Sequence, residues 1–425
     1  MIQNKDKIFL YCDRAILVCL CLLIFALPFA KAGVEIFSWT GITLWTLKRG
    51  LGYRTNGFWG LFPKTALNKA LAVFFLMNIL STIFSVDVLL SFRALFCKVF
   101  KFIIIFFLMA EVITREKRLK GLLAVMIASV IFILADAIIQ YVTGVDFIRG
   151  FLWAHLTASF KSSNDFSAWL IIMIPLVLGL FAEKGLGTGL KIVLLALIIL
   201  LIACLLATYS RGGWIGLMIG ISFMSWYAFK DFILRNKIWF VLGTTVLFVV
   251  IAIIPQSVKT EFGNKIGGIR FKNEERIGTR MKSILNTDYG GSIWLRLRLW
   301  KEALNITRDY PVTGSGLNTY SITARNYKSC EGGGIYPHNS FLQMAAETGL
   351  LGIFSFFWIL FEFFRLGWRS INKHKNFIVA GLLSGVIAFL VQSSVDTNLY
   401  ALQCVVLFWF ILGLTVAIIH SQEAV

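Results

Sequence analysis

The chain has 425 residues, of which 58% are hydrophobic and 15% are aromatic, and its mean hydropathy is +0.79. Soluble globular proteins are about half apolar, so this composition excludes a soluble protein and indicates an integral membrane protein. The net charge of +19 does not indicate nucleic acid binding, because most basic residues lie in short segments between apolar runs.

Apolar runs recur along the whole chain, and a helix needs about 20 residues to cross the hydrocarbon layer. The runs predict an all-α, polytopic membrane protein of about twelve transmembrane helices, formed by residues 1–425 as a single membrane domain. The predicted spans are 15–30, 33–47, 67–84, 94–113, 119–142, 167–183, 190–209, 213–229, 238–255, 340–364, 377–393 and 400–420.

The basic residues predict the topology. Loops on one side hold many of them, whereas the short loops on the other side hold few, such as Lys31, Arg93, Arg149 and Lys161. The positive-inside rule therefore places both termini in the cytoplasm and 256–339 on the outer side, as one large, partly helical loop. The basic residues on the cytoplasmic side include Lys5, Lys7, Arg14, Lys48, Arg49, Arg54, Lys64, Arg115, Lys117, Arg118, Lys120, Lys230, Arg235, Lys237, Arg365, Arg369, Lys373 and Lys375.

The sequence lacks the usual signatures of metal, nucleotide and disulfide chemistry. Of seven cysteines only Cys330 lies clearly in the outer loop, and no CxxC spacing occurs. Nor does the outer side contain a DxD carboxylate pair, an HExxH motif or a Walker loop. We therefore expect no metal and no cofactor.

The outer loop contains a predicted amphipathic helix, Ile293 to Arg308, followed by the proline and glycines of PVTGSG. Long loops are uncommon in compact proteins unless they are functional, so this loop is a candidate for binding or catalysis. Arg296 and Trp300 share a helix face, whereas Arg298 lies about 200° further around the helix.

Two arginines on the predicted outer side are candidates for binding an anion. Arg211 lies in Ser210-Arg211-Gly212-Gly213-Trp214, where the glycines allow backbone N–H groups and a guanidinium to approach one anion together. Arg296 is the second. The alternatives are a side chain that snorkels to lipid phosphate for Arg211 and a helix-surface charge for Arg296.

His338 stands before the apolar run FLQMAAETGLLG, where Asn339 or Ser340 can cap the helix. Histidine is the most common general base, although a lone histidine can also serve only in packing. Glu347 lies about two turns into the predicted span, where an ionisable group is costly and usually has a specific partner. Asp396, in SSVDTN, is interpreted as the N-cap of the last span.

Three motifs resemble those of the bacterial O-antigen ligases and O-antigen polymerases. They are SRGGW at 210–214, the RxxxW of Arg296 to Trp300 with YPVTGSGLNTY at 310–320, and HNSFLQMAAETGLLG at 338–352. The resemblance implies a glycosyltransferase of the bacterial inner membrane that takes a glycan from undecaprenyl diphosphate on the periplasmic side. It also implies that His338 is the base and that Arg211 and Arg296 bind the diphosphate, with Arg298 as a rival for Arg296.

The resemblance leaves the acceptor open. A ligase transfers the glycan to a sugar of the lipid A core, and a polymerase transfers it to another lipid-linked repeat. We favour a ligase, because one dominant loop leads directly into the histidine motif, with Glu347 and Asn339 as possible supporting residues. We also expect contacts with membrane lipids and no binding of nucleic acid. A flippase for lipid-linked sugars is a less favoured alternative, because matched, broken helices near mid-membrane are not visible.

Overall fold

The computed structural model describes residues 2–56, 62–113, 116–148, 150, 155–235, 292–327 and 336–423. Within these ranges the chain forms helices and no β-strands, which confirms the predicted all-α fold for this part of the protein. In chain order the helices are α1 (Ile2–Ala26), α2 (Lys31–Asn56), α3 (Asn68–Ile83), α4 (Val88–Ala94), α5 (Lys101–Val112), α6 (Glu116–Thr143), α7 (Ser163–Ala182), α8 (Thr188–Ala207), α9 (Arg211–Arg235), α10 (Ser292–Asp309), α11 (Tyr320–Thr323), α12 (Ser340–His374), α13 (Phe377–Ser393) and α14 (Leu402–Glu423).

Every predicted span except 238–255 overlaps helices of the structure, and 238–255 lies outside the described residues. A π-helical turn, Leu95–Phe100, joins α4 to α5, and short 3₁₀ turns follow α11 and precede α14. Among the described residues, six helices are long and apolar enough to cross a membrane, namely α1, α6, α7, α8, α12 and α14. Helices α3 and α13 are apolar but shorter. The total of about twelve spans remains a prediction.

Helix α13 packs closely against α7 and α9, and glycines make this approach possible. A Cβ atom at Gly216 would lie 2.5 Å from the carbonyl oxygen of Ala388, and one at Gly220 would lie 2.6 Å from that of Ser384. Small residues at helix interfaces allow such close packing, which drives helix association in membranes. The three helices thus form one closely packed unit.

Charged side chains meet at one end of α1, α2 and α5. Lys48 of α2 forms salt bridges with Asp13 of α1 and Glu111 of α5, and Arg49 also pairs with Glu111. The Trp45 indole donates a hydrogen bond of 2.6 Å to Glu111. These contacts place the start of α1 and the ends of α2 and α5 at the same end of the bundle, as antiparallel neighbours require.

Helix α12 is interrupted at Gly349, where φ is 66° and ψ is −171°. The N–H groups of Leu350 and Leu351 donate to the carbonyl oxygens of Pro311 and Val312 instead of to the preceding turn. The predicted span 340–364 is therefore two helices. Residues 340–348 form a short helix, which we call the outer helix, and 350–374 form the long helix that follows it.

The segment 310–320 crosses the outer helix at this interruption. The N–H groups of Ser315 and Gly316 donate to the carbonyl oxygens of Ala346 and Glu347, both at 2.9 Å. A Cβ atom at Gly314 would lie 2.3 Å from the carbonyl group of Glu347, and its φ of 72° also favours glycine. The glycines of PVTGSG and ETGLLG therefore permit one close backbone contact.

Candidate functional site

His338 lies just before the outer helix, with a left-handed backbone conformation in which φ is 48°. Its Nδ1 is 3.4 Å from Oδ1 of Asp396, and 43% of its side chain is exposed. A carboxylate that faces one ring nitrogen of histidine fixes the orientation of the ring and the position of its proton. The other nitrogen, Nε2, is then left for a ligand.

Asn339 caps the outer helix. Its side-chain oxygen accepts hydrogen bonds of 3.0 Å from the N–H groups of Phe341 and Leu342, which confirms a helix start predicted at Asn339 or Ser340. Ser340 does not cap the helix. Its N–H and hydroxyl groups both donate to the carbonyl oxygen of Asp396, at 3.0 and 2.9 Å. The start of the outer helix is thus bound to the segment that carries Asp396.

The interpretation of Asp396 as the N-cap of the last helix is wrong. Helix α14 begins at Leu402, and Oδ1 of Asp396 accepts a hydrogen bond of 2.8 Å from the N–H of Thr397 while it faces His338. Only the predicted topology, which places 394–400 and His338 on the same side, could have indicated this pair. Sequence spacing could not, because 58 positions separate the two residues.

Arg211 is the first residue of α9, and its side chain is exposed. Ser210 precedes it as a buried cap whose Oγ accepts from the N–H of Gly213 and from Nε2 of Gln392, both at 3.4 Å. A Cβ atom at Gly212 would lie 2.8 Å from Cγ2 of Val395. Since Asp396 follows Val395, the start of α9 lies against the segment that contacts His338.

The two glycines of SRGGW allow close packing, and the expectation that they let backbone N–H groups approach an anion stays a prediction. A Cβ atom at Gly213 would lie 1.8 Å from Oγ of Ser167 in α7, so no side chain fits there. The N–H of Gly213 is occupied by Ser210. What remains for an anion is the guanidinium of Arg211, which makes no hydrogen bond or ion pair with the described residues.

Helix α10 carries the other two arginines. It packs on the outer helix through Ala303 and Ile306, which share a small buried cluster with Ala346. Arg296 and Arg298 are both partly exposed, and among the described residues neither forms an ion pair. These contacts therefore do not show which of the two arginines binds the diphosphate, and the role predicted for Arg296 stays a prediction.

The comparison with known families bears on these same residues. The family model for O-antigen ligase matches residues 195–357. Residues 195–357 are thus similar to an O-antigen ligase family domain. This confirms the resemblance predicted from the three motifs, since the match spans Arg211, Arg296 and His338. No curated protein matches the chain.

The O-antigen ligase match ends at residue 357, so Asp396 lies beyond it. The described part of the domain and of its neighbouring helices brings together no three His, Cys, Asp or Glu side chains that could hold a metal ion. Cys330 lies outside the described residues. The groups that this site offers are the imidazole of His338, which faces Asp396, and the exposed guanidinium of Arg211, at the start of α9.

Glu347, a candidate supporting residue, does not face His338. It is buried, with 2% exposure, and accepts hydrogen bonds from the backbone of 318–320 and from Gln343. Burial raises the pKa of the nearby Tyr320 hydroxyl, and the carboxylates of Glu302 and Glu347 raise it further. Any effect of Glu347 on a reaction at His338 must therefore act through the surrounding structure.

Proposed function

We propose that this protein is an O-antigen ligase of the bacterial inner membrane, with its active site on the periplasmic side. It transfers a polysaccharide from undecaprenyl diphosphate to a sugar hydroxyl of the lipid A core. The observation that carries the proposal is the His338–Asp396 contact, which lies beside the start of α9 in a chain with an O-antigen ligase domain. Supporting it, several helices of the described part are long and apolar enough to span a membrane.

His338 acts as the general base. Its Nδ1 donates to Asp396, so Nε2 accepts the proton of the acceptor hydroxyl as that oxygen forms a bond to the anomeric carbon. The bond from the anomeric carbon to the diphosphate breaks in the same step, and undecaprenyl diphosphate leaves. One displacement of this kind inverts the anomeric centre, and the sequence offers no pair of carboxylates for a two-step retaining route.

Arg211 and Arg296 bind the donor diphosphate, whose negative charge grows as the sugar leaves. A guanidinium presents a planar pair of donors that matches phosphate oxygens, and fixed donors of this kind stabilise a developing charge without a metal. The exposed, unpaired guanidinium of Arg211 suits this role among the described residues. Asn339 supports the base as the cap of its helix.

Lipopolysaccharide from a deletion strain tests the identity of the acceptor. A ligase predicts that all attached polymer is lost while lipid-linked polymer accumulates. A single attached repeat would indicate a polymerase instead, and an accumulation of lipid-linked glycan on the cytoplasmic side would indicate a flippase.

Lysine substitutions test the arginines with a defined lipid-linked donor. Lysine keeps the charge but loses the planar pair of donors, so Arg211→Lys and Arg296→Lys should each impair transfer about tenfold or more, in turnover as well as in donor affinity. Arg298→Ala is the control, since this side chain points away from Arg296. Tolerance of lysine at both positions, or a larger defect at Arg298, would refute the diphosphate site.

A further inference from the structure

The carboxylate of Glu347 is buried in the outer helix and gathers hydrogen-bond donors from separate parts of the chain. Its Oε2 accepts from the N–H of Asn318 at 3.0 Å, and its Oε1 accepts from the N–H of Tyr320 at 3.4 Å. The side-chain amide of Gln343 donates to Oε1 at 3.1 Å. The hydroxyl of Tyr400, just before α14, lies close to this carboxylate.

A partly buried cation lies near this carboxylate. Lys98, in the π-helical turn, interacts electrostatically with Glu347, and its Nζ donates a hydrogen bond of 2.6 Å to Oδ1 of Asn318. Burying a charge is costly, and the hydrogen bonds from Asn318, Tyr320 and Gln343 offset part of this cost for Glu347. Four segments of the chain, which include residues 98, 318–320, 343–347 and 400, therefore converge on one charged group.

The same outer helix holds His338 at its other end. There Ser340 binds the carbonyl oxygen of Asp396, and its Oγ accepts from the N–H of Leu399 at 3.3 Å. The segment 396–400 is thus bound to the outer helix at Asp396 and at Leu399, and the Tyr400 hydroxyl at its end lies close to Glu347. Two separated attachments stop the segment from rotating about either one, which keeps the carboxylate of Asp396 directed at His338.

We propose that Glu347 is a positioning residue for the His338–Asp396 pair. It touches neither member of the pair and acts by fixing the segments around Asn318 and Tyr400 to the helix that begins beside His338. The part of the proposal that concerns turnover rests on the proposed ligase function, whereas the part that concerns the geometry of His338 does not. A displacement of about 1 Å in a reacting group can cost about 10²-fold in rate, so a loosened attachment should be measurable.

The test compares Glu347→Gln with the wild type in two measurements on the full-length protein. Glutamine has the same shape but is uncharged, and its NH₂ group cannot accept a hydrogen bond from an N–H. With a defined lipid-linked donor, we expect turnover at saturating donor to fall about tenfold or more, with the donor KM within about twofold, since Arg211 is untouched. In ¹⁵N NMR, the ring resonances of His338, assigned by His338→Asn, should move in the direction produced by Asp396→Asn.

Two further variants make the outcome decisive. Glu362→Gln, in the long part of α12 and paired with Arg365, is the matched control and should change neither measurement. Tyr400→Phe removes only the hydroxyl beside Glu347, so it should produce the same changes at smaller size, and it decides the matter if Glu347→Gln does not fold. Unchanged His338 resonances in Glu347→Gln, or in Tyr400→Phe in that case, would overturn the proposal. If the wild type transfers no glycan, the ligase function is rejected instead. The His338 resonances alone then show whether Glu347 positions His338.

Discussion

Gly213→Ala should destabilise the protein, and a second substitution should restore it. The new Cβ atom would lie 1.8 Å from Oγ of Ser167 and 3.2 Å from its Cβ. Relief of such a clash requires a shift of α7 or α9, and overpacking of this kind costs about 1–3 kcal/mol. The hydroxyl of Ser167 is buried and has no hydrogen-bond partner among the described residues, so Ser167→Ala alone should be nearly neutral.

The double variant Gly213→Ala/Ser167→Ala removes the atom that clashes. The nearest remaining neighbours of the new methyl group are then Cβ of residue 167 at 3.2 Å and Cδ1 of Leu205 at 3.3 Å. Both distances are tight, but a shift of a few tenths of an ångström relieves them. We therefore expect the free energy of unfolding of the double variant to lie within about 1 kcal/mol of the wild type.

Thermal unfolding of the purified protein, together with glycan transfer, measures both effects. A change of 1 kcal/mol shifts Tm by about 2–4 °C in chains of 150–250 residues and by about half as much in a chain twice as long, so Gly213→Ala should lose roughly 1–6 °C. Transfer should fall and recover together with Tm. A wild-type Tm for the single variant would refute the packing role, and a double variant with restored Tm but no transfer would return Gly213 to anion binding.

Three other predictions follow from the site. His338→Ala should lower transfer by about 10²–10⁴, the usual contribution of a general base, and wild-type turnover in a folded, membrane-inserted variant would exclude the base. EDTA should leave the purified enzyme active, and a requirement for added Mg²⁺ or Mn²⁺ would reveal a metal site. Gly349→Ala should cost about 2–4 kcal/mol, because φ is 66° and the new Cβ would lie 2.2 Å from the carbonyl oxygen of Val312; an unchanged Tm would contradict this strain.

Hydropathy predicted the positions of the helices well, because apolar runs of transmembrane length are a strong local signal. The start of the outer helix was also predictable, since the capping preference of Asn339 is local. The break at Gly349 was not. It depends on a distant segment, whose carbonyl oxygens at Pro311 and Val312 take over two N–H groups of the helix.

The partners of the site residues were harder to predict than the residues themselves. Residue type and setting identified His338 and Arg211 as candidates, but the pairing of His338 with Asp396 arises from helices that meet only in the folded bundle. Glu347 was recognised as unusual because it is an ionisable residue within an apolar predicted span. Its contacts with Asn318 and Tyr400 cannot be read from spacing, because they join loops that are remote in sequence.

The interruption at Gly349 also limits how far an insertion or deletion in the long helix can change the structure around His338. In an unbroken helix, insertion of one residue rotates everything beyond it by about 100°. Here Ser315 and Gly316 bind the end of the outer helix, at the carbonyl oxygens of Ala346 and Glu347, and Pro311 and Val312 bind the first two residues of the long helix. A rotation further along the long helix, in 352–374, therefore need not reach His338. The length of the long helix can therefore change to suit bilayers of different thickness while His338 keeps its orientation. The interruption at Gly349 is accordingly a practical junction for chimeras with related proteins.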